Sequence, residues 1–436
     1  MGTERPTSGV SAGALSTQLR EVRRRTRRLV EDLSSDQLTV TPDDDGTPIL
    51  WELGHIGWFH EFWTLRHAHG DVPLLEDGDR LWNPAAVSPA ARRTLSLPGL
   101  EDTLAYLDDV LKRQIDHLER SNLGDEIRYF YDLAVRHEDM RIEALTSTRQ
   151  SRGYGIPDLG DHAPEGAGPF PGDAAVPGGK WRLGASMREG FIFDNEKWAH
   201  SVELAPFQIA RTPVTNLEFA VFVAEGGYRF RDFWSPAGWA WREAAIAERP
   251  VYWVEEEGQF AWRRYDRIEA LAADAPVMCV SYHEAEAWCR WAKRRLPSEA
   301  EWEAAALGEP SADGQSLSET KRRWPWGEEV PARFRANLDF AYDGALDVAA
   351  CPAGDSAFGC RQMTGNVWEW TSSEFQPFNG FAADPYEDYS TAGFGTTKVL
   401  RGGCFASSPR VARPGHRKFL APERRDGFAG FRTCAL

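Results

Sequence analysis

The stretch Gly365-Asn366-Val367-Trp368-Glu369-Trp370-Thr371 is the most informative segment of this 436-residue chain. Two shorter motifs follow it, Arg401-Gly402-Gly403 and Gly430-Phe431-Arg432. Large aromatic residues in a glycine-rich segment indicate irregular loops that are pinned by buried rings. Short strand patterns alternate here with long loops and a few helical patterns. We therefore predict an α+β domain rich in irregular loops over residues 179–436.

The first third of the chain has a different pattern. Four apolar stripes with helical spacing lie between about residues 15 and 150, and the second stripe is rich in Trp and Phe. Four amphipathic helices joined by loops predict an all-α four-helix bundle over residues 13–150. The composition shifts abruptly to Gly, Pro, Asp and Ala at Ser151, so we interpret residues 151–178 as a linker.

Composition and charge disfavour several classes of function. The formal net charge of -16 is unsuited to nucleic-acid binding, which requires a basic surface. No apolar run approaches the ~20 residues of a membrane-spanning helix, and the first residues lack the apolar core of a signal peptide. The six cysteines are scattered without a CxxC pair. We therefore expect reduced thiols in a cytoplasmic protein that neither binds nucleic acid nor enters a membrane.

Two histidines point to a metal site. His55 lies among apolar residues of the second helical pattern, and His137 lies within the fourth. A single histidine on an apolar face is more often a structural residue, but helix bundles bind metals through side chains that project inward from facing helices. Two neutral imidazoles suit Fe, Zn, Cu or Ni. His60 lies about 140° round the helix from His55, so we do not expect it on the same face.

The motifs together resemble one family. Residues Trp51–Gly57 and His137–Glu143 are similar to the two metal motifs of the ergothioneine sulfoxide synthases and selenoneine synthases. The motifs of the C-terminal half follow in the same order as in the family. The resemblance therefore covers nearly the whole chain. The resemblance implies a DinB-like bundle followed by a C-type-lectin-like domain of the kind found in formylglycine-generating enzymes.

The resemblance also implies an activity. These enzymes are non-haem iron(II) proteins that use O2 to join a sulfur or selenium donor to the imidazole of hercynine, the trimethylated betaine of histidine. Their substrates are small molecules, namely hercynine, O2 and a thiol or a selenosugar. His55 and His137 match two of the family's iron ligands.

Arg141 is the main departure from the family pattern. It stands four residues after His137, where the family has a third histidine, and a permanently protonated guanidinium offers no lone pair to a metal. Three interpretations remain. Water or a carboxylate such as Glu138 completes a two-histidine site, or the metal is lost and Arg141 binds an anionic group or substrate, or the substitution is a peculiarity of this sequence. The second interpretation predicts a catalytically inactive relative that binds a small betaine or a protein partner.

Further site residues follow from the resemblance. The family's pair of arginines for the carboxylates of γ-glutamylcysteine falls on Arg93 and Ala90, and Arg92 is a possible substitute. Since the C-terminal region, residues 419–436, is more similar to selenoneine synthases, we predict a donor other than γ-glutamylcysteine. Tyr386 and Tyr389 are the candidates for the family's proton-donating tyrosine, although both could simply pin a loop.

Asn366 and Glu369 have two interpretations. Related folds hold a structural Ca²⁺ at this motif through side-chain and main-chain oxygens. The alternative is that Asn366 bonds to nearby backbone in a tight turn. Cys404 follows the second motif, but it lacks the nearby second cysteine that sulfatase-activating chemistry requires.

Overall fold

The computed structural model describes residues 9–39, 46–120, 122–164, 166–186, 190–256 and 258–436. The chain forms two compact units. The first comprises Met1–Thr146, Pro157–Leu159 and Arg188–Phe191, and the second comprises Ser147–Ile156, Gly160–Met187 and Ile192–Leu436. None of the described helices combines the length and the apolar character needed to span a bilayer.

The described part of the first unit is helical. Its elements are α1 (Ala12–Arg28), α2 (Ser35–Leu38), α3 (Ile49–His60), a π-helical segment (Glu61–His67), α4 (Gly78–Trp82), α5 (Pro89–Arg92), α6 (Leu100–Arg120) and α7 (Asp125–Arg152). The last turns of α7, from Ser147 on, belong to the second unit. Helix α1 begins at Ser11, whose hydroxyl accepts a hydrogen bond from the Ala14 amide. The apolar faces of α1, α6 and α7 meet in one core that contains Leu19, Ile115 and Val135.

Helix α3 is buried almost all round, and of its twelve residues only Glu52 is partly exposed. A helix that is apolar on every side belongs to the interior of a domain. It continues without a break into the π-helical segment, a rare conformation that is frequent near functional sites. Gly54 and Gly57 let other elements approach α3 closely, because a Cβ at Gly54 would overlap the Trp82 indole and one at Gly57 would lie 2.8 Å from Leu107.

Gly54→Ala is therefore expected to destabilise the first unit by about 1–3 kcal/mol, the usual cost of overpacking a core. The added methyl group must displace Trp82, whose carbonyl oxygen orients the His55 ring. Gly13→Ala is the control, since nothing lies within 4 Å of the new Cβ on α1. There the loss of backbone freedom in the unfolded chain should stabilise the protein slightly. Thermal melting of both variants tests the prediction, and equal melting temperatures would contradict it.

The second unit contains the strands of the described chain. They are β1 (Asp173–Val176), β2 (Gly179–Leu183), β3 (His200–Leu204), β4 (Phe207–Ala210), β5 (Trp253–Glu256), β6 (Gln259–Arg264), β7 (Arg267–Ala270), β8 (Arg294–Arg295), β9 (Trp368–Glu374), β10 (Lys398–Arg401), β11 (Lys418–Leu420), β12 (Ala429–Gly430) and β13 (Cys434–Ala435). Its helices are α8 (Asn216–Ala224), α9 (Pro236–Ala244), α10 (Tyr282–Trp291), α11 (Glu299–Leu307) and α12 (Asp388–Thr391).

These strands form four small sheets. Their strand orders are β1-β4-β13-β8, β11-β10-β9-β12, β2-β3 and β5-β6-β7. The pairs are antiparallel except for β12 and β9, which run parallel. Long loops connect the sheets, as the sequence pattern predicts.

The motif at residues 365–371 holds this second unit together. Trp368 begins β9, and the buried Glu369 accepts hydrogen bonds from Arg432 at 2.6 and 2.7 Å. Glu369 also accepts one from the Trp302 indole at 2.7 Å. Gly365 has a φ of 82°, and a Cβ there would overlap the Asn337 carbonyl oxygen, so glycine is required.

The predicted organisation of a helical first domain and a mixed second domain is confirmed. Their finer description as a four-helix bundle and a lectin-like domain stays a prediction. The sequence Ser298-Glu299-Ala300-Glu301 has the pattern of a capping box, and this box is present at the start of α11. Ordered elements occupy both ends of the predicted linker 151–178, because α7 continues to Arg152 and residues 173–176 form β1.

Candidate functional site

His55 lies on α3 in a fixed orientation. Its Nδ1 atom is 3.0 Å from the Trp82 carbonyl oxygen, and since that oxygen can only accept, Nδ1 carries the proton. The Nε2 atom therefore bears the lone pair. The ring of Trp51 stacks on the imidazole at 5.1 Å between centroids, with 8° between the planes. Burial and stacking thus leave His55 a single accessible orientation.

His137 reaches the same place from α7. Its ring stacks on Phe59 at 3.7 Å between centroids, and its centroid lies 5.2 Å from that of His55. The planes of the two imidazoles are inclined at 75°. Two imidazoles that share one metal at about 2.1 Å also have centroids about 5 Å apart. The spacing of this pair is therefore suited to a shared cation.

Both imidazoles are neutral at pH 7. Burial lowers the pKa of His55 to about 3, and the positive charge of Arg141 contributes to the shift. Burial and Arg141 likewise lower the pKa of His137 well below its ordinary value. A neutral imidazole is the form that binds a metal, so both rings have the right protonation state.

Arg141 takes the position of a third ligand on the same face of α7. Its Nε group donates to the Nε2 atom of His137 at 3.3 Å, and its Nη1 group donates to the Glu52 carboxylate at 3.3 Å. The side chain is 33% exposed. The one-turn spacing of 137 and 141 therefore has the expected geometry, but it brings a cation to the ring instead of a donor atom.

The donor set fits a metal only in part. His55 and His137 supply two suitable nitrogen atoms, whereas the Arg141 guanidinium covers the His137 lone pair and cannot act as a ligand. Across the described ranges, no group of three His, Cys, Asp or Glu side chains is placed to bind a metal. The site would thus hold a metal through two protein ligands, and only with the Arg141 side chain turned away from His137.

Glu138 is not placed to complete the metal site. Its carboxylate is fully buried and binds Arg23 at 2.9 and 3.2 Å, the Thr26 hydroxyl at 2.6 Å and the His60 Nε2 atom at 3.1 Å. Burial raises the pKa of this carboxyl, but Arg23 and His60 outweigh burial and lower it below its ordinary value. These contacts engage both carboxylate oxygens, so this arrangement does not favour the interpretation in which Glu138 completes a two-histidine site.

The partners of Glu138 were missed in the sequence. His60 and Arg23 lie on different helices and at large separations from Glu138, so no motif joins them. Arg23 is one of six arginines between residues 20 and 28, and it is buried while its neighbour Arg24 is exposed. The sequence gives one sign of this burial, which is that Arg23 lies on the same helical face as the buried residues Leu19 and Val22.

The arginines of the loop before α6 differ in position. The Arg92 guanidinium lies 4.0 Å above the Trp51 ring, and its Nε group donates to the Val87 carbonyl oxygen at 3.3 Å. Arg93 is exposed. Since Trp51 stacks on His55, the structure associates Arg92 with the imidazole pair. The family resemblance instead predicts Arg93 as the arginine that binds the carboxylate of the donor.

Tyr386 and Tyr389 lie together in the second unit, with 5.9 Å between ring centroids. Tyr389 stacks on Phe193 at 4.5 Å. Burial, together with Glu196 and Asp194, raises the pKa of Tyr389 well above its ordinary value, so its hydroxyl stays protonated at neutral pH. This state suits a hydrogen-bond donor. The stacking equally suits a loop-pinning aromatic residue.

The segment that carries these tyrosines is tied to residues 194–197. The Ser390 hydroxyl donates to the Asp194 carboxylate and accepts from the Asn195 amide at 2.9 Å. Lys197 binds Asp384 at 2.7 Å. Asp194 is buried, and burial raises its pKa to about 6.

Asp194→Asn is expected to stabilise the protein above pH 6 and to have little effect near pH 4. A folded-state pKa above the unfolded value means that the contribution of Asp194 to stability is present at low pH and is lost as the pH rises through about 6. The gain at pH 7.5 should be about 1–3 kcal/mol, at 1.4 kcal/mol for each pKa unit. Asp388→Asn, at an exposed position of α12, is the control. Melting temperatures from pH 4 to 8 test this, and a pH-independent difference would contradict it.

Asn366 and Glu369 have protein partners for their oxygens. Asn366 Oδ1 accepts from the Asn337 amide at 2.9 Å and from the Leu346 backbone at 2.8 Å. Glu369 is paired with Arg432, as described above. These contacts favour the tight-turn interpretation of the motif over a calcium site. All six cysteines lie in the described part of the chain, and no disulfide joins them.

Comparison with known families agrees with this architecture. A model of the DinB superfamily matches residues 18–146, and a model of the sulfatase-modifying factor enzyme 1-like domain matches residues 160–435. The molecule is thus of the class that joins a DinB-type helical domain to a sulfatase-modifying-factor-type domain.

Individual proteins narrow the class. The chain is 37% identical to hercynine oxygenase of Mycolicibacterium smegmatis over 98% of this chain and 99% of that protein. It is 36% identical to hercynine oxygenase of Mycobacterium tuberculosis over 96% and 98% of the respective chains. A formylglycine-generating enzyme of Streptomyces coelicolor is 34% identical over 61% of this chain and 88% of that protein. The chain belongs to the hercynine oxygenase family, and the resemblance inferred from its motifs is confirmed.

Proposed function

We propose that this protein acts on hercynine in an O2-dependent reaction that joins a sulfur or selenium donor to the imidazole ring. Fe(II) would be held by His55 and His137. The observation that carries the proposal is the pair of neutral, fixed imidazoles 5.2 Å apart in a chain related to hercynine oxygenases over its whole length.

Each residue has a role in this proposal. The two imidazoles hold the iron, which when bound supplies the capacity to activate O2. Arg92 and Arg141 bind carboxylates of the substrates, for which a guanidinium provides parallel N–H donors, and Arg93 is a further candidate. Tyr389 or Tyr386 donates a hydrogen bond or a proton, and the raised pKa of Tyr389 keeps its hydroxyl protonated as a hydrogen-bond donor.

We propose a donor other than γ-glutamylcysteine, either another thiol or a selenosugar. The family's paired arginines are not reproduced here, because Ala90 occupies one of the two positions. Arg92 is stacked on Trp51 beside the imidazole pair, which supports a carboxylate site at a different place.

A second candidate function is a metal-free relative that binds a small betaine or a protein partner. The contact between Arg141 and the His137 lone pair specifically favours it, because the same contact opposes metal binding. Metal content separates the two candidates.

The protein should be purified and loaded with Fe(II) under anaerobic conditions, and its iron should then be measured. Near-stoichiometric iron that is lost in His55→Ala and His137→Ala supports the enzyme. Addition of O2 and hercynine with cysteine, γ-glutamylcysteine or a selenosugar, followed by mass spectrometry, identifies the donor. Absence of iron and of any coupled product would overturn the enzyme in favour of the binding protein.

A further inference from the structure

Arg141 belongs to a cluster of charged groups beside the imidazole pair. It binds Glu52 at 3.3 Å, and Glu52 and Arg141 are the nearby charges that act on Arg92. Burial and the charge of Arg141 lower the pKa of Arg92, while Glu52 opposes this change. Glu52 thus contacts one guanidinium group and interacts electrostatically with a second, so these three side chains carry one excess positive charge.

Such an excess favours an anion. Arg92 is partly buried, has one face on Trp51 and donates its Nε–H to Val87, which leaves the edge formed by its two Nη groups for a planar partner. Arg141 is partly exposed. A carboxylate between them would restore neutrality, and it matches the fork of N–H groups that arginine offers.

Binding of a carboxylate at Arg141 competes with the contact to His137. A guanidinium binds a carboxylate bidentately through its Nε–Nη2 edge or through its two Nη groups. Here Nε is donated to His137 and Nη1 to Glu52, both at 3.3 Å, near the long limit of a hydrogen bond. Either edge therefore includes a group that is already engaged through a weak bond, and a charged acceptor is a stronger partner than a neutral ring nitrogen.

We propose that a small carboxylate binds at Arg141 and Arg92 and, by drawing the Arg141 Nε–H from His137, opens the His137 Nε2 lone pair to a metal. This coupling rests on the proposed two-histidine metal site. The carboxylate of an amino acid or betaine is the class of ligand that fits. Arg141 thus acts as an anion-operated latch on the imidazole pair. Because coupling between two ligands is reciprocal, the metal should also tighten carboxylate binding by the same factor.

Calorimetric titration of the full-length protein with Co(II) tests the coupling. The titration is done in acetate and in chloride at equal ionic strength, so that screening is the same. We expect Co(II) to bind about 10-fold more tightly in saturating acetate, within the usual range of coupling between sites. Equal affinities in the two salts would overturn the latch.

Two variants exclude a direct bond between acetate and the metal. Arg141→Met keeps an apolar stem but removes the guanidinium, so Co(II) should bind it equally in the two salts. If acetate acted as a ligand of the metal, its effect would persist in this variant, and the latch would be wrong. Arg24→Met, at an exposed position of α1, makes the same change in net charge and should retain the acetate effect.

The same titrations separate failure of the latch from failure of the metal site. If Co(II) binds the protein but acetate has no influence, only the latch is refuted. If Co(II) binds neither the protein in acetate nor Arg141→Met, the two-histidine site is refuted, and the latch with it.

Discussion

Arg141→His should raise the affinity for Fe(II) or Co(II) by at least about 100-fold. A loss of supporting groups around a metal ligand already changes affinity 10- to 100-fold, and a direct ligand should contribute no less. Residue 141 lies one helical turn from His137, and its present side chain already reaches the His137 Nε2 atom. An imidazole here would therefore face the same point as His55 and His137.

Arg141→Met is the matched control for this gain. It removes the positive charge without adding a donor atom, so the difference between the two variants measures the third ligand alone. The affinities are obtained by anaerobic calorimetry, and the visible spectrum of bound Co(II) reports the ligand number. If Arg141→His bound metal no more tightly than Arg141→Met, the imidazole pair would not form the core of a metal site.

Arg23→Met should destabilise the first unit by about 3–5 kcal/mol, the cost of removing one partner of a buried ion pair. Arg23 and Glu138 are both inaccessible to solvent, and Arg23 supplies two of the bonds to this carboxylate. The loss of Arg23 leaves a buried charge with Thr26 and His60 as its remaining partners in this network.

This loss of stability should depend on pH. Because the folded-state pKa of Glu138 is lowered, its contribution is present above the unfolded value and is lost as the pH falls. The difference between Arg23→Met and the parent protein should therefore be full above about pH 4.5, the ordinary glutamate value, and shrink only as the pH falls below it. Arg24→Met, one residue away but exposed, should lose less than about 0.5 kcal/mol. Urea denaturation at several pH values tests both variants, and equal losses would contradict the role of Arg23.

Much of the architecture could be read from local patterns. Helical periodicity separates the first unit from the second, and the capping box at Ser298 marks the start of α11 because both of its partners lie within one turn. The pairing of His55 with His137 followed from the same reasoning, since both were expected to face the interior of a helical domain. The four-residue spacing of His137 and Arg141 also predicts one shared helical face, and the two side chains are in contact.

Contacts between distant segments could not be read in this way. The contacts of Glu138 with Arg23, Thr26 and His60 depend on how three helices pack. The association of Arg92 with Trp51 depends on where a short helix in a long loop comes to rest. Glu369 has carboxylate oxygens of the kind that bind calcium. Arg432, sixty-three residues later in the chain, donates hydrogen bonds to both of them.

The sequence alone was thus sufficient to identify the family, the two domains and the two paired histidines. These depend on motifs and on periodicity within single helices. The partners of the buried charges became visible only in the folded molecule. Desolvation makes an unpaired charge so costly that each carboxylate and guanidinium binds whatever opposite group the packing of helices and strands brings within reach.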